Sequence, residues 1–293
     1  MKRIFITIAI ITLFISNAFA QIITNTYHIS NINGIESEFI FDITITKGNS
    51  DKIIIKTPKK YAKDIVVSHN KGVLKLKIAD SWFNRHRNNN NDKITVNLEM
   101  NNISYINLSG AASTTFNGDY NTDNLCCELS GASSIKQLNI SGNHLDIDVS
   151  GAANCKINGN FNDIDGDISG AATLNYIGNS NNIEIDNSGA GNFNYSGDIT
   201  NIAEVNNSGA SNSTLKGKGE IINCSCSGAA NINAKEFFTR NASAETSGAS
   251  KISVNASNIL NVETSISSRI IYYGNPKTIN DRTKNKTIIK GND

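Results

Sequence analysis

Apolar and polar residues alternate along most of this chain, and in its middle the alternation is tied to a recurring Ser-Gly-Ala step. The step occurs eight times, at Ser109-Gly110, Ser130-Gly131, Ser150-Gly151, Ser169-Gly170, Ser188-Gly189, Ser208-Gly209, Ser227-Gly228 and Ser247-Gly248, each followed by Ala. Successive serines are 21, 20, 19, 19, 20, 19 and 20 residues apart. With each Ser numbered zero, positions −5, −3 and −1 are mostly apolar, as in Leu145, Ile147 and Val149. Positions −4 and −2 between them are polar or acidic, so this stretch reads as a strand with one buried face. Alternation resumes after the corner. Position +5 holds Ile135, Cys155, Leu174, Phe193, Ile232 and Ile252, and position +7 holds Phe116, Ile157, Tyr176, Tyr195, Leu215 and Val254. A second turn is expected near +9, where Gly118, Gly159, Gly178, Gly197 and Gly217 recur.

Two or three short strands per twenty residues cannot bury a face alone. Stacking each strand in parallel on its copy one repeat later pairs the backbone and lines the inward residues into columns. The pattern therefore predicts an all-β protein, a right-handed parallel β-helix of about 20 residues per coil, its hand following from parallel crossovers. Nine coils from Ser109, at about 4.8 Å each, predict a rod segment about 40 Å long. In the Ser-Gly-Ala corner, Gly supplies positive φ, Ala fits where the corner crowds the core, and the Ser hydroxyl can serve corner backbone groups. These serines are structural: a nucleophile needs one activated copy with a base beside it, not eight equivalent ones.

Outside the regular repeats the pattern loosens. Residues 1–20 read as a signal peptide, with basic Lys2 and Arg3, an apolar Ile4–Ile15 and the small-x-small site Ala18-Phe19-Ala20. After its removal no transmembrane segment is expected. Residues 21–105 alternate without the Ser-Gly-Ala step and read as irregular N-terminal coils and a cap, with an exposed loop at Trp82–Asp92. Residues 106–276 form the regular repeats. A ninth corner departs from the rule, since Ser265-Ile266 stands where Ser-Gly is expected, as suits a terminal coil. Ile270, Ile271, Tyr272 and Tyr273 are candidates to plug the core there. Residues 277–293 read as a polar tail, with Ile288 and Ile289 in a further short strand.

Charge narrows the partners. Residues 101–260 carry 7 Lys/Arg against 15 Asp/Glu, whereas residues 21–100 carry 12 against 8. An acidic body does not suit nucleic acid, which calls for clustered Lys and Arg. The five cysteines, Cys126, Cys127, Cys155, Cys224 and Cys226, fall mostly at inward positions and read as small buried residues, with a disulfide left open.

The chain resembles a family of exported bacterial proteins, the putative auto-transporter adhesin, head GIN domain family. The resemblance rests on Ile32-Asn33-Gly34-Ile35 followed by Phe39–Ile45, and on the strand Val73-Leu74-Lys75-Leu76-Lys77. The Leu-Ser-Gly-Ala steps from Leu108 and the ending Tyr273-Gly274-Asn275-Pro276 complete it, over about residues 30–277. It implies a right-handed parallel β-helix in the envelope of Bacteroidetes-like bacteria, periplasmic, surface-exposed or secreted, and supplies no catalytic motif.

The candidate chemistry lies on the outer face. Stacked coils bring Asp146, Asp148, Asp165, Asp167, Glu184 and Asp186 into two adjacent columns, an acidic stripe suited to a polycation or to weak Ca²⁺ binding. Like charges about 5 Å apart repel by roughly 1 kcal/mol per pair in water, so the stripe also keeps the sheet soluble. Asp163-Ile164-Asp165-Gly166-Asp167 matches a calcium loop poorly, lacking the closing Glu. Asn154, Thr173, Asn192, Asn212 and Asn231 at +4 give a flat polar face suited to a glycan or a cell-surface or matrix protein through many weak contacts. The four histidines have no ligand spacing, and no cofactor motif occurs. The reading is a non-enzymatic, adhesin-like or structural binding protein recognising a polymer or surface ligand. The alternative is a polysaccharide-active lyase- or hydrolase-like β-helix enzyme, which requires a groove with paired carboxylates or a basic residue beside calcium-binding carboxylates.

Overall fold

The computed structural model describes residues 22–79, 93–265, 267–283 and 288–292. The signal segment, the whole Trp82–Asp92 loop and Ile266 lie outside the described residues. Within them the chain forms 23 strands and no helix, wound into a β-solenoid of about nine turns. Strands rich in Ile, Leu, Val, Phe and Tyr at every second position suit a pleated, half-buried surface.

Each regular coil has the two faces that alternation predicts. In the coil that follows Ser150, the strands Asn154–Asn158 and Phe161–Ile168 lie in parallel on Thr173–Ile177 and Ser180–Asn187 of the next coil. Asn154 sits over Thr173 and Ile164 over Ile183, so residues 19 apart are stacked. The columns at −5, −3, +5 and +7 are buried from Leu125 to Leu260 wherever they carry an apolar side chain. A fully buried side chain of this size contributes roughly 1.5–3 kcal/mol, and stacking lets every coil share its apolar face with two others.

Both corners are ladders of glycines, for different reasons. At the Ser-Gly-Ala corner the Gly adopts φ between 66° and 74°. The following Ala N–H donates to the Gly carbonyl one coil earlier at 2.6–2.7 Å, as in Ala171 to Gly151. The Ser hydroxyls of Ser150 and Ser188 reach the carbonyls of Leu129 and Ile168 at 3.3 and 3.4 Å. At the second corner Gly159 and Gly178 have φ of 150°, and a Cβ on Gly178 would lie 1.7 Å from the Gly159 oxygen. Successive coils there touch backbone to backbone.

The interior carries a polar exception. Position −1 is Leu108, Leu129, Val149 and Ile168 in early coils, then becomes Asn187 and Asn207, both buried. The Asn187 amide donates to the Asn212 carbonyl at 3.0 Å, and the Asn207 amide to the Asn231 carbonyl at 2.9 Å. Ser213 donates to the Asn207 side-chain oxygen at 2.7 Å. These bonds tie the two faces of the coil together across the corner. Gly191 leaves room for them, because a Cβ there would meet the Asn187 oxygen at 2.2 Å.

The N-terminal end does not wind in chain order. The coil formed by Gly34–Phe39 and Phe41–Lys47 lies between the coil of Tyr105–Gly110 and Ser113–Asn117 and that of Val73–Ile78 and Ile94–Met100. Gly34 therefore pairs with Tyr105, 71 residues away, rather than with a neighbour one repeat on. Phe39 faces Gly110 and takes the corner conformation itself, with φ of 99°. Antiparallel pairings close the end: Ile22–His28 with Lys52–Pro58, and Ile65–Asn70 with Val73–Ile78. An open solenoid end presents a row of unpaired backbone groups, and antiparallel strands laid along it, Lys52–Pro58 on Ile94–Met100 among them, cover that edge.

At the other end, Arg269–Tyr273 stacks on the Lys251–Asn255 segment, and Ile270 is buried while Ile271, Tyr272 and Tyr273 are half-buried. Thr278–Asp281 and Ile288–Lys290 add a further partial layer in parallel, so strand stacking continues beyond residue 277.

Candidate functional site

The strands that precede the Ser-Gly-Ala corners bring the predicted carboxylates into register. Cys126, Asp146, Asp165, Glu184 and Glu204 stand in one file, and Glu128, Asp148, Asp167, Asp186 and Asn206 in the next. Asp146, Asp148, Asp165, Asp167, Glu184 and Asp186 are all exposed on three successive coils of one sheet face. Strand spacing sets successive carboxylates of a file about 4.8 Å apart.

Their electrostatics follow from crowding. Partial burial first, then the charges of Asp167, Glu128 and Asp146, raise the Asp148 carboxyl above the usual Asp value. At the head of the other file, burial with Glu128 and Asp146 pushes the Cys126 thiol up to about 11. Amides border the stripe. Asn107 donates to Glu128 at one end, and Asn206 donates to Asp186 at 3.0 Å at the other. Beside it, Asn182 donates to Asp163 at 2.6 Å, and His144 Nε2 lies 3.5 Å from Asp165. A shallow depression of about 320 Å³ opens between Asp163, Asp165, Asn182, Glu184 and Glu204.

The arrangement is a flat, anionic ruler. Side chains at alternate positions on a sheet project side by side rather than toward a common point. Accordingly, among the described residues no group of three His, Cys, Asp or Glu side chains is set to hold a metal ion. The weak Ca²⁺ expectation gains no support from this geometry. Asp163–Asp167, compared above with a calcium loop, is part of the extended strand Phe161–Ile168, so its three carboxylates share one outward face.

The opposite sheet carries the polar file Ser134, Asn154, Thr173, Asn192, Asn212 and Asn231. Sequence reasoning missed a third array at the second corner. Ser141, Asn160, Asn179 and Asp198 each accept the backbone N–H one coil on, from Asn160, Asn179, Asp198 and Lys218, at 2.7–3.0 Å. A neighbouring Asn143, Asn162, Asn181 and Thr200 ladder bonds side chain to side chain. The signal was present in the Asn or Asp that follows the +9 glycine, as in Gly159-Asn160 and Gly197-Asp198. Four of the five cysteines are buried, all five are free, and burial raises the Cys224 and Cys226 thiols.

Comparison with known proteins agrees with this architecture. The family model described as putative auto-transporter adhesin, head GIN domain, matches residues 31–178 and 167–276. The chain belongs to this family. A solved putative adhesin from Parabacteroides distasonis ATCC 8503 is similar in fold, with a TM-score of 0.53 at 15% identity, covering 93% of this chain and 97% of that one. A putative adhesin from Parabacteroides merdae ATCC 43184 gives 0.47 at 14% identity, covering 94% and 98%. A putative lipid binding protein from Parabacteroides distasonis ATCC 8503 gives 0.47 at 15%, also covering 94% and 98%. None of the curated proteins compared matches the chain. Membership of the head GIN domain family extends over the cap and the repeats alike. The family is described as one of adhesins, which points to a surface or extracellular setting. No helix among the described residues is long and apolar enough to cross a membrane.

Proposed function

We propose that this protein is exported and acts as a non-enzymatic, adhesin-like binding protein of the cell envelope. It recognises an extended polymer or a surface ligand, glycan or protein, through its repetitive polar and acidic faces. The observation that carries the reading is the coil-by-coil registration of outward side chains, exposed and evenly spaced on flat sheets. A ligand with its own repeat can meet such a ruler at several coils, and many weak contacts sum to useful avidity. Even spacing argues against the polysaccharide-active alternative, because cleavage needs two carboxylates singled out across one bond. Family membership supports the adhesive role. The signal-like residues 1–20 support export.

Glycan and matrix-protein arrays probed with the purified protein test the reading. Binding to at least one extended ligand is expected, with a loss of tenfold or more in the combined variant Asp165→Asn, Asp167→Asn, Glu184→Gln, Asp186→Asn if the ligand is basic. A ligand held by the Asn/Thr face survives that variant and is lost on replacing Asn192 and Asn212 with Lys. Silent arrays together with depolymerisation of a polysaccharide would favour the enzyme. Protease treatment of intact cells reports whether the protein is outside.

A further inference from the structure

We infer that the N-terminal cap contains a separate site for a small neutral polyhydroxylated ligand, of the size of one or two sugar rings. Two connections of the cap, at residues 29–33 and 48–50, converge with the end of the Ile94–Met100 strand and the Asn101 and Asn102 that follow it on a cleft of about 400 Å³. This lies within the range of about 300–1,000 Å³ typical of small-molecule sites. It exists because the cap does not wind in order: the Phe41–Lys47 strand lies beside Ile94–Met100, so their exits leave together.

The lining is apolar below and polar above. Ile29 and Met100, both buried, contribute an apolar floor. Around it stand the exposed side chains of Asn31, Asn49, Asn101 and Asn102. Among the described residues these four amides make no hydrogen bond to protein, in contrast to the bonded Asn ladders of the body. Each amide offers both a donor and an acceptor, matching hydroxyls that also do both. One carboxylate is held in place: Glu99 accepts the Ser50 N–H at 3.1 Å. Gly48 keeps space for it, since a Cβ there would lie 2.1 Å from the Glu99 oxygen. The lining contains no Lys or Arg, so an anionic ligand has no counter-charge. An apolar floor with an amide rim and one fixed acceptor suits a sugar, whose C–H face and hydroxyls are likewise segregated.

Saturation-transfer NMR on the full protein, with glucose, galactose, mannose, N-acetylglucosamine, maltose and cellobiose as probes, tests this. Transfer to at least one probe is expected. It falls at least tenfold in Glu99→Ala and in Asn49→Trp, where an exposed loop position fills the cleft without touching the core. The acidic-stripe variant retains full transfer, which separates this site from the repetitive faces. No transfer to any probe overturns the proposal, as does transfer that survives both cleft variants. A rise in melting temperature with Ca²⁺ alone and no response to sugars also overturns it, in favour of a cation site.

Discussion

Replacing Gly178 by Ala tests whether coil spacing at the second corner is set by backbone contact. Gly178 has φ of 150°, and a Cβ there would lie 1.7 Å from the Gly159 oxygen and 2.6 Å from its carbon. Ordinary contact begins at 3.4 Å, so the methyl would have to retreat by another 1.7 Å. The coils cannot separate freely. Gly159 N–H donates to Ile177 at 2.9 Å, and Gly178 N–H donates to Ser196 at 3.0 Å. Relief therefore sacrifices one or two backbone hydrogen bonds at about 1 kcal/mol each and adds about 1–3 kcal/mol for a disfavoured φ. The total is about 2–5 kcal/mol. Gly170→Ala, at the Ser-Gly-Ala corner, places its Cβ 2.6 Å from the Gly151 oxygen and needs a shift of only 0.8 Å. It should cost about 1–3 kcal/mol. Chemical denaturation followed by circular dichroism gives the ranking, and hydrogen exchange locates the damage. Exchange should accelerate at the amides of Phe161–Ile177 and Ser180–Ser196 while the N-terminal cap stays protected, since repeats interact only with neighbours. A Gly178→Ala protein within 1 kcal/mol of the parent, or one less affected than Gly170→Ala, would refute the reasoning.

Three further outcomes follow from the same geometry. Asp148 has a raised folded pKa, so its favourable contribution is present in full below about pH 3.8 and is lost as pH rises through the folded value. Asp148→Asn should therefore raise the melting temperature slightly at pH 7 and leave it unchanged near pH 3; equal effects at both values would contradict the assignment. Asn207→Ala removes the partner of the Asn231 carbonyl and of the Ser213 hydroxyl in a buried setting and should cost about 2–4 kcal/mol by denaturant melting, with a loss under 1 kcal/mol counting against the network. Iodoacetamide at pH 8 should label only Cys126 in the folded protein, roughly a hundredfold more slowly than an ordinary thiol, and all five cysteines after unfolding; mass spectrometry showing early labelling of Cys155 or Cys224 would place them at the surface.

The repeated part of this protein is legible from its residues because one coil contains nearly all of its own instructions. Alternation about Ser150 or Ser169 fixes which side chains face in, the two glycines fix the corners, and equal spacing stacks like on like. Asp146, Asp165 and Glu184 could thus be placed in one file before any coordinates. What alternation could not show is identity at the exceptions. Asn187 and Asn207 occupy an apolar column because Asn212, Asn231 and Ser213 supply partners across the corner, and those are paired only by folding. The cap depends wholly on tertiary structure. Gly34 beside Tyr105, Phe39 in a glycine's conformation and the antiparallel strands of the cap arise from contacts between segments that share no period. A repeat reports its nearest neighbour because the next coil has the same sequence pattern. The ends have no such copy, so the need to cover open backbone edges decided their arrangement, and with it the cleft at Glu99.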